Sequence, residues 1–177
     1  MNFFPKIDKW LIPGEALKRS QDELAVDGRN GKEGICLWLG KKDQGMATLS
    51  HLVYLRGAGV IKHPANVQVT PELMRDVHDE AMTHGVILIG QIHSHSRRFG
   101  VNLSLTDHRY GIRVPYFLSV VCPDYGQTNP TTIFDCGVHV FLPEKGYVRL
   151  INNEIREKIL LTPQTNIPIL TVGETYE

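Results

Sequence analysis

The amino-acid sequence predicts an α/β or α+β sandwich, in which a central sheet carries helices on its faces. Three observations lead there. Short apolar runs rich in β-branched residues recur at 35–39, 46–55, 86–89, 116–122 and 138–142, and runs of this length read as strands. Two or three stretches between them carry apolar residues at helical spacing. Gly, Pro, Asn and Asp gather at the junctions and mark turns.

Pro13-Gly14 punctuates the start, and residues 16–26, with Leu17 and Leu24 among charges, read as an amphipathic helix. The turn-rich Asp27-Gly28-Arg29-Asn30-Gly31 stops it. Glu33 stands at the mouth of the 35–39 strand, where an acid is by default an exposed first residue. Residues 41–45 form a hairpin loop into the 46–55 strand, which Gly57-Ala58-Gly59 ends. Val67-Gln68-Val69 alternates like a short strand. Thr70-Pro71-Glu72 then opens a helix, with a capping Thr, Pro in the first turn and an acid near the positive end of the dipole. Leu73, Val77 and Ala81 give that helix an apolar stripe, Met74 lies beside it, and Gly85 terminates it. His78, Asp79 and His84 belong to its solvated face, although Asp79 and Glu80 rival Glu33 as functional acids. His51 and His63 have no partner spacing and read as packing or surface residues.

Further on, 106–112 is a short helix, 116–122 a buried strand and 123–130 a loop of Pro, Asp, Gly and Asn. Residues 132–134, 138–142 and 147–151 supply more strands, and 153–160 a last helix. Beyond Pro163 no period is visible; that tail frays or pairs as a strand with a partner.

A chain of 177 residues is one domain by its length and can bury a core without staples. Its 19 basic and 19 acidic residues cancel, so nothing points to nucleic acid or an anionic membrane. Neither a signal peptide nor a transmembrane stretch is visible, which predicts a cytoplasmic protein. Cys36, Cys122 and Cys136 are odd in number and lack Cys-x-x-Cys spacing, which excludes a disulfide framework and a structural zinc site. Cys36 and Cys122 read as small buried hydrophobes, with a Cys nucleophile paired to His139 as the alternative.

The most informative stretch is Gly90-Gln91-Ile92-His93-Ser94-His95-Ser96 and its continuation to Asp107. Strand side chains alternate, so His93 and His95 present both imidazoles to one side. Ser104 and Asp107 lie three apart, on one face if a helix begins there. Each piece has a structural explanation: His-x-His pairs occur on surface strands, and a Ser followed three residues later by an acid is a helix start. Together, two imidazoles and a carboxylate make a three-ligand set that leaves the fourth tetrahedral position of a zinc ion open, as catalytic sites require.

His93-x-His95, Ser96, seven residues and Ser104-x-x-Asp107 resembles the JAMM signature of the MPN-domain zinc metalloproteases. The upstream Glu33, before a strand ending in Gly40, resembles that family's distant glutamate. One position departs, since the family usually has Pro where Ser96 stands, and a Pro would fix φ in the loop. The resemblance covers roughly residues 11–151 and implies a single-domain MPN (JAB, cytidine-deaminase-like) α/β/α sandwich with a central mixed sheet. It divides the chain into an N-terminal extension, 1–10, a metalloprotease domain, 11–162, and a C-terminal tail, 163–177.

It also implies one Zn2+ per chain held by His93, His95 and Asp107, with Glu33 as general base and Ser104 as oxyanion donor. The implied activity is a deubiquitinase-like isopeptidase or peptidase, cutting after the C-terminal tail of a ubiquitin-like protein. Single-domain members resemble bacterial enzymes encoded beside activating-enzyme-like and conjugating-enzyme-like partners, several of them in antiviral systems. The alternatives are a non-catalytic MPN scaffold that binds a ubiquitin-like protein, and a zinc amidohydrolase that releases a small amine or amino acid from a carrier protein.

Overall fold

Strand pairing begins earlier than the sequence predicts. In the computed structural model, which describes residues 5–128 and 131–173, the first strand, β1 (Lys9–Pro13), already buries Trp10 and Ile12. Part of the expected N-terminal extension therefore belongs to the sheet, and its residues 1–4 lie outside the described residues. Then follow α1 (Gly14–Gly28), β2 (Ile35–Asp43), β3 (Met46–Leu55), the hairpin β4 (Val60–His63) and β5 (Asn66–Val69), α2 (Pro71–Thr83) and β6 (Ile87–Ser94). The remainder comprises α3 (Leu105–Tyr110), β7 (Leu118–Cys122), β8 (Gly137–Leu142), β9 (Gly146–Arg149), α4 (Asn152–Lys158), β10 (Ile159–Thr162) and β11 (Ile169–Val172).

Nine strands form one mixed sheet in the order β10-β1-β3-β2-β6-β7-β8-β9, with β11 beside β3. β2 is antiparallel to β3 and β6, β6 runs parallel to β7, and β7, β8 and β9 alternate. Alternation along β2 divides the interior. Cys36 and Trp38 join a core with Leu17 and Leu24 of α1 and Ile155 of α4, whereas Ile35, Leu37 and Leu39 join another with Leu73, Val77 and Ala81 of α2. The expected α/β class, a mixed sheet with helices on both faces, is the observed one. Among the described residues no helix is long and apolar enough to cross a membrane.

Four expectations change. Residues 132–134 are no strand: Ile133–Asp135 is a 3-10 turn, because the Asp135 carboxylate accepts the Thr132 backbone N–H at 2.8 Å and closes the chain on itself. The last helix stops at Lys158, since Ile159 is extended and pairs with Trp10 of β1. The tail beyond Pro163 neither frays over its described part nor awaits a partner. β1 pairs with β3 only at Met46, Ala47 and Thr48, and β11 fills the open edge from Leu52 to Leu55, satisfying backbone groups that would otherwise stay unpaired. β4 went unread because Val60-Ile61-Lys62-His63 alternates too briefly; its antiparallel pairing with β5 makes it a strand. Of the 123–130 loop, residues 129–130 lie outside the described residues, as do 174–177.

All three cysteines are free and buried. Burial pushes the Cys36 thiol up to about 12. A hydrogen bond with Cys122, and then burial, raise that of Cys136. Thiols held protonated are poor nucleophiles, so the Cys–His139 alternative finds no support. The ligand loop packs on β8 at Gly137, where a Cβ would come within 1.7 Å of the Val101 carbonyl oxygen.

Two outcomes are expected. Gly137→Ala must push the 96–103 loop outward, and metal affinity measured by chelator competition should fall although no ligand is removed; unchanged affinity would dismiss this contact as a positioning device. His139 is buried on β8, its Nδ1 has no partner among the described residues, and burial lowers its pKa from 6.5 to about 4. Between those values the unfolded chain binds a proton that the folded chain refuses. The folded state therefore loses roughly 3 kcal/mol as pH falls through that window, and nothing above it. Urea unfolding of metal-free protein at pH 7 and 4.5 should show a smaller acid loss for His139→Gln than for wild type.

Candidate metal centre

β6 pairs with β2 on one side and β7 on the other, so the strand that carries the site is fixed along both edges. Its last residues are fully buried: His93 and Ser94, followed by His95 just past the strand end. As alternation requires, the two imidazoles share a side, with ring centroids 5.0 Å apart and planes at 65°. Ser94 points the other way. Its Oγ accepts the Gly34 N–H at 2.9 Å, and its own N–H donates to the Gly34 carbonyl at 3.1 Å.

α3 supplies the third group. Ser104 is its N-cap: Ser104 Oγ accepts the Asp107 N–H at 3.1 Å, and the Asp107 carboxylate accepts the Ser104 N–H at 2.7 Å. This is a reciprocal capping box. It fixes the Asp107 carboxylate over the histidines, with Oδ1 3.5 Å from His93 Nε2 and Oδ2 3.2 Å from His95 Nε2. The two Nε2 atoms are 3.2 Å apart. Three ligands at zinc distances of about 2.0–2.1 Å in a tetrahedron stand roughly 3.3–3.4 Å from one another. The contacts among His93, His95 and the two Asp107 oxygens are close to that spacing, and with one ligand atom from each residue within 4.8 Å of the others these three residues can hold a metal ion.

The surroundings prepare them for it. His95 Nδ1 lies 3.2 Å from the Gly100 carbonyl; with Nδ1 donating there, a metal ion that displaced the Nε2 proton would meet the Nε2 lone pair. Burial lowers the His95 pKa, but the hydrogen bond with Asp107 and the charge of Glu33 outweigh it and the net shift is upward. Burial likewise raises Asp107, yet hydrogen bonds with His93 and His95 hold it well below the usual carboxylate range. After His95, hydrogen bonds hold the loop. Phe99 N–H donates to the Ser96 carbonyl at 3.0 Å, and Tyr125 N–H to that of His95 at 2.8 Å. Pro123 to Thr128 thus clamp the His93–Asp107 segment through Tyr125, whose hydroxyl also reaches the Pro64 carbonyl at 2.8 Å.

Glu33 is 2% exposed and feels both His95 and Asp107. Burial pushes its carboxyl up to about 7, an effect that His95 opposes and Asp107 reinforces. Its backbone N–H donates to the His63 carbonyl at 2.9 Å, and Lys62 of the same hairpin is ion-paired with Asp27 at 2.7 Å. His93, His95 and Asp107 are therefore brought together, Ser104 caps the helix that carries Asp107, and Glu33 lies near enough to feel the charges of His95 and Asp107. Asp79 and Glu80, on the exposed face of α2, stay apart from them, as do His78 and His84. His51 stacks on His84 instead, at 5.2 Å.

Sequence reasoning missed Ser94, Gly100 and Tyr125. Only Ser94 carried a signal, as the residue between two ligands that must face the opposite side of the strand. It also missed Gln91 and Ser119, each a polar residue inside an apolar strand. Both line a cavity of about 530 Å³ that opens on His93 and Asp107.

No family model matches the chain, and no curated protein matches it. Among solved structures it is similar to the solution structure of protein DSY2949 from Desulfitobacterium hafniense, with a TM-score of 0.58 and 15% identity over 88% of this chain and 94% of that one. A likeness at that identity extends to the α/β fold and no further.

Proposed function

We propose that the chain is a zinc-dependent hydrolase of amide bonds that cuts after the C-terminal tail of a ubiquitin-like protein. The observation that carries the chemistry is the cluster of His93, His95 and Asp107, whose ligand atoms lie within 4.8 Å of one another, with the buried carboxyl of Glu33 near enough to feel His95 and Asp107. Imidazole and carboxylate donors at tetrahedral spacing favour zinc over calcium or magnesium, which prefer all-oxygen sites. A zinc ion held there would polarise the scissile carbonyl and lower the pKa of a bound water from about 15.7 to near 7. The chain's own residues do the rest. Glu33, whose carboxyl titrates near 7, takes the proton of the attacking water and returns it to the departing amine. Ser104 uses its oxygen lone pair as a helix cap, which leaves its O–H free to donate to the carbonyl oxygen as charge develops there.

The substrate class rests on the His-x-His, Ser-x-x-Asp and Glu33 pattern and its resemblance to the MPN metalloproteases. Edge geometry agrees with it. β5 pairs with β4 alone among the described strands, and Val67, Gln68 and Val69 line the cavity beside Asp107. An extended tail can add to such an edge through backbone hydrogen bonds.

Elemental mass spectrometry should find near-stoichiometric zinc in the wild type and none in His95→Ala or Asp107→Ala. No uptake by wild type even after zinc is supplied would favour the scaffold alternative. Against a panel of ubiquitin-like tail conjugates, Glu33→Gln should retain zinc and lose roughly 10²–10⁴-fold in kcat; a variant that turns over normally would remove Glu33 from the mechanism. Ser104→Gly costs the helix cap only a few tenths of a kcal/mol, so it isolates the hydroxyl. An expected loss of roughly 10²–10³-fold in kcat, with the melting temperature nearly kept, would distinguish the oxyanion role from the cap.

A further inference from the structure

The cavity that opens on His93 and Asp107 has a composition the hydrolytic machinery does not use. At about 530 Å³ it lies within the usual range of small-molecule sites, roughly 300–1,000 Å³. Its walls mix apolar side chains, among them Leu37, Val69, Met74 and Ile112, with about as much polar surface. Its polar groups include one pair set side by side in the sheet: Gln91 of β6 and Ser119 of β7 are register partners, and Gln91 Nε2 donates to Ser119 Oγ at 3.4 Å. That bond occupies one amide proton. The second amide proton, the Gln91 carbonyl oxygen and the Ser119 hydroxyl proton make no other hydrogen bond among the described residues. The pair therefore presents a donor and an acceptor together. Besides the ligands His93 and Asp107, no lining residue is a His, Lys, Arg, Asp or Glu.

We infer that this cavity is a specificity pocket for the side chain of a residue next to the scissile bond, and that Gln91 and Ser119 select an uncharged group that donates and accepts at once, a carboxamide above all. The inference rests on the metal-hydrolase reading and adds a substrate preference to it. A carboxamide is complementary to the free atoms of the pair. A carboxylate side chain would meet no lining Lys or Arg, and an ammonium would find only Asp107, which the metal would already use. An apolar one of equal size would leave Gln91 and Ser119 desolvated and unpaired, and sites built to hydrogen-bond reject analogues that cannot.

Amino-acid hydroxamates test this without any knowledge of the natural substrate, because the hydroxamate anchors on the metal while the side chain samples the cavity. Isothermal titration calorimetry of the zinc-loaded chain with glutamine, methionine, glutamate, lysine and glycine hydroxamates should rank glutamine tightest. The expected margin is at least tenfold over glutamate and lysine, with methionine, its near-isostere, between. In Gln91→Leu and in Ser119→Ala the glutamine preference over methionine should vanish, with zinc content showing that each variant has folded. Affinities all within twofold of glycine hydroxamate, or methionine tightest in the wild type, would overturn the pocket and leave the metal centre standing. If no hydroxamate binds, glycine included, the metal-hydrolase reading fails and this inference with it.

Discussion

The site depends on one backbone-level lock, the two hydrogen bonds between Ser94 and Gly34. They tie the end of β6, which carries the histidines, to the mouth of β2, which carries Glu33. Without that lock the antiparallel β2–β6 pair could fray where it is needed most, since strand ends are the least protected part of a ladder. With it, the chain at Gly34, next to Glu33, is fixed against the strand end that carries the imidazoles. Both partners lie inside the fold: Ser94 is fully buried, and a Cβ on Gly34 would stand 3.0 Å from Leu24 of α1. The core on the α1 side of the sheet thus helps set the position of Glu33, the proposed general base.

The second constraint is that Asp107 serves two purposes with one carboxylate. As the N3 residue of a six-residue helix it satisfies the Ser104 N–H, and as a ligand it faces His93 and His95. So short a helix has little stability of its own. The cap, the Gly137 contact and the bonds at Ser96 and His95 are what keep the carboxylate still. The structural and the functional explanation of Ser-x-x-Asp, which look like rivals in the sequence, are therefore the same interaction. Capping aims the ligand.

Much of this was legible because its signals are local. Alternation in β6 told that His93 and His95 share a face, Thr70-Pro71-Glu72 marked the start of α2, and the apolar runs marked the sheet. What stayed hidden depends on contacts between distant segments. No pattern in residues 169–172 says that β3 has an open edge there, and nothing in Asp124 and Tyr125 announces that both adopt positive φ to reach the His95 carbonyl. Residues 132–134 have strand composition, but Asp135 offers the backbone a closer hydrogen-bond partner. Local side-chain bonding of this kind defeats propensity. Glu33 is the intermediate case: its place before a strand predicted exposure, and burial came from the β4–β5 hairpin, whose first strand was not visible.

Two carboxylates share the neighbourhood of the same two histidines, and their environments drive them apart. Asp107 is hydrogen-bonded by both imidazoles and by the Ser104 N–H, which keeps it ionised. Glu33 has burial as its main influence and the charge of Asp107 against it, which holds its proton to about pH 7. A pair separated in this way divides the labour of a hydrolytic site: the permanently charged member suits ligation, and the member poised near neutrality suits proton transfer. Exchanging the roles would fail on electrostatic grounds. A ligand that holds its proton to neutrality competes poorly for a cation, and a base with so low a pKa has little driving force to take a proton from water. The separation follows from where the capping box lies relative to β2, so the division of roles in the proposed site rests on the fold that carries it.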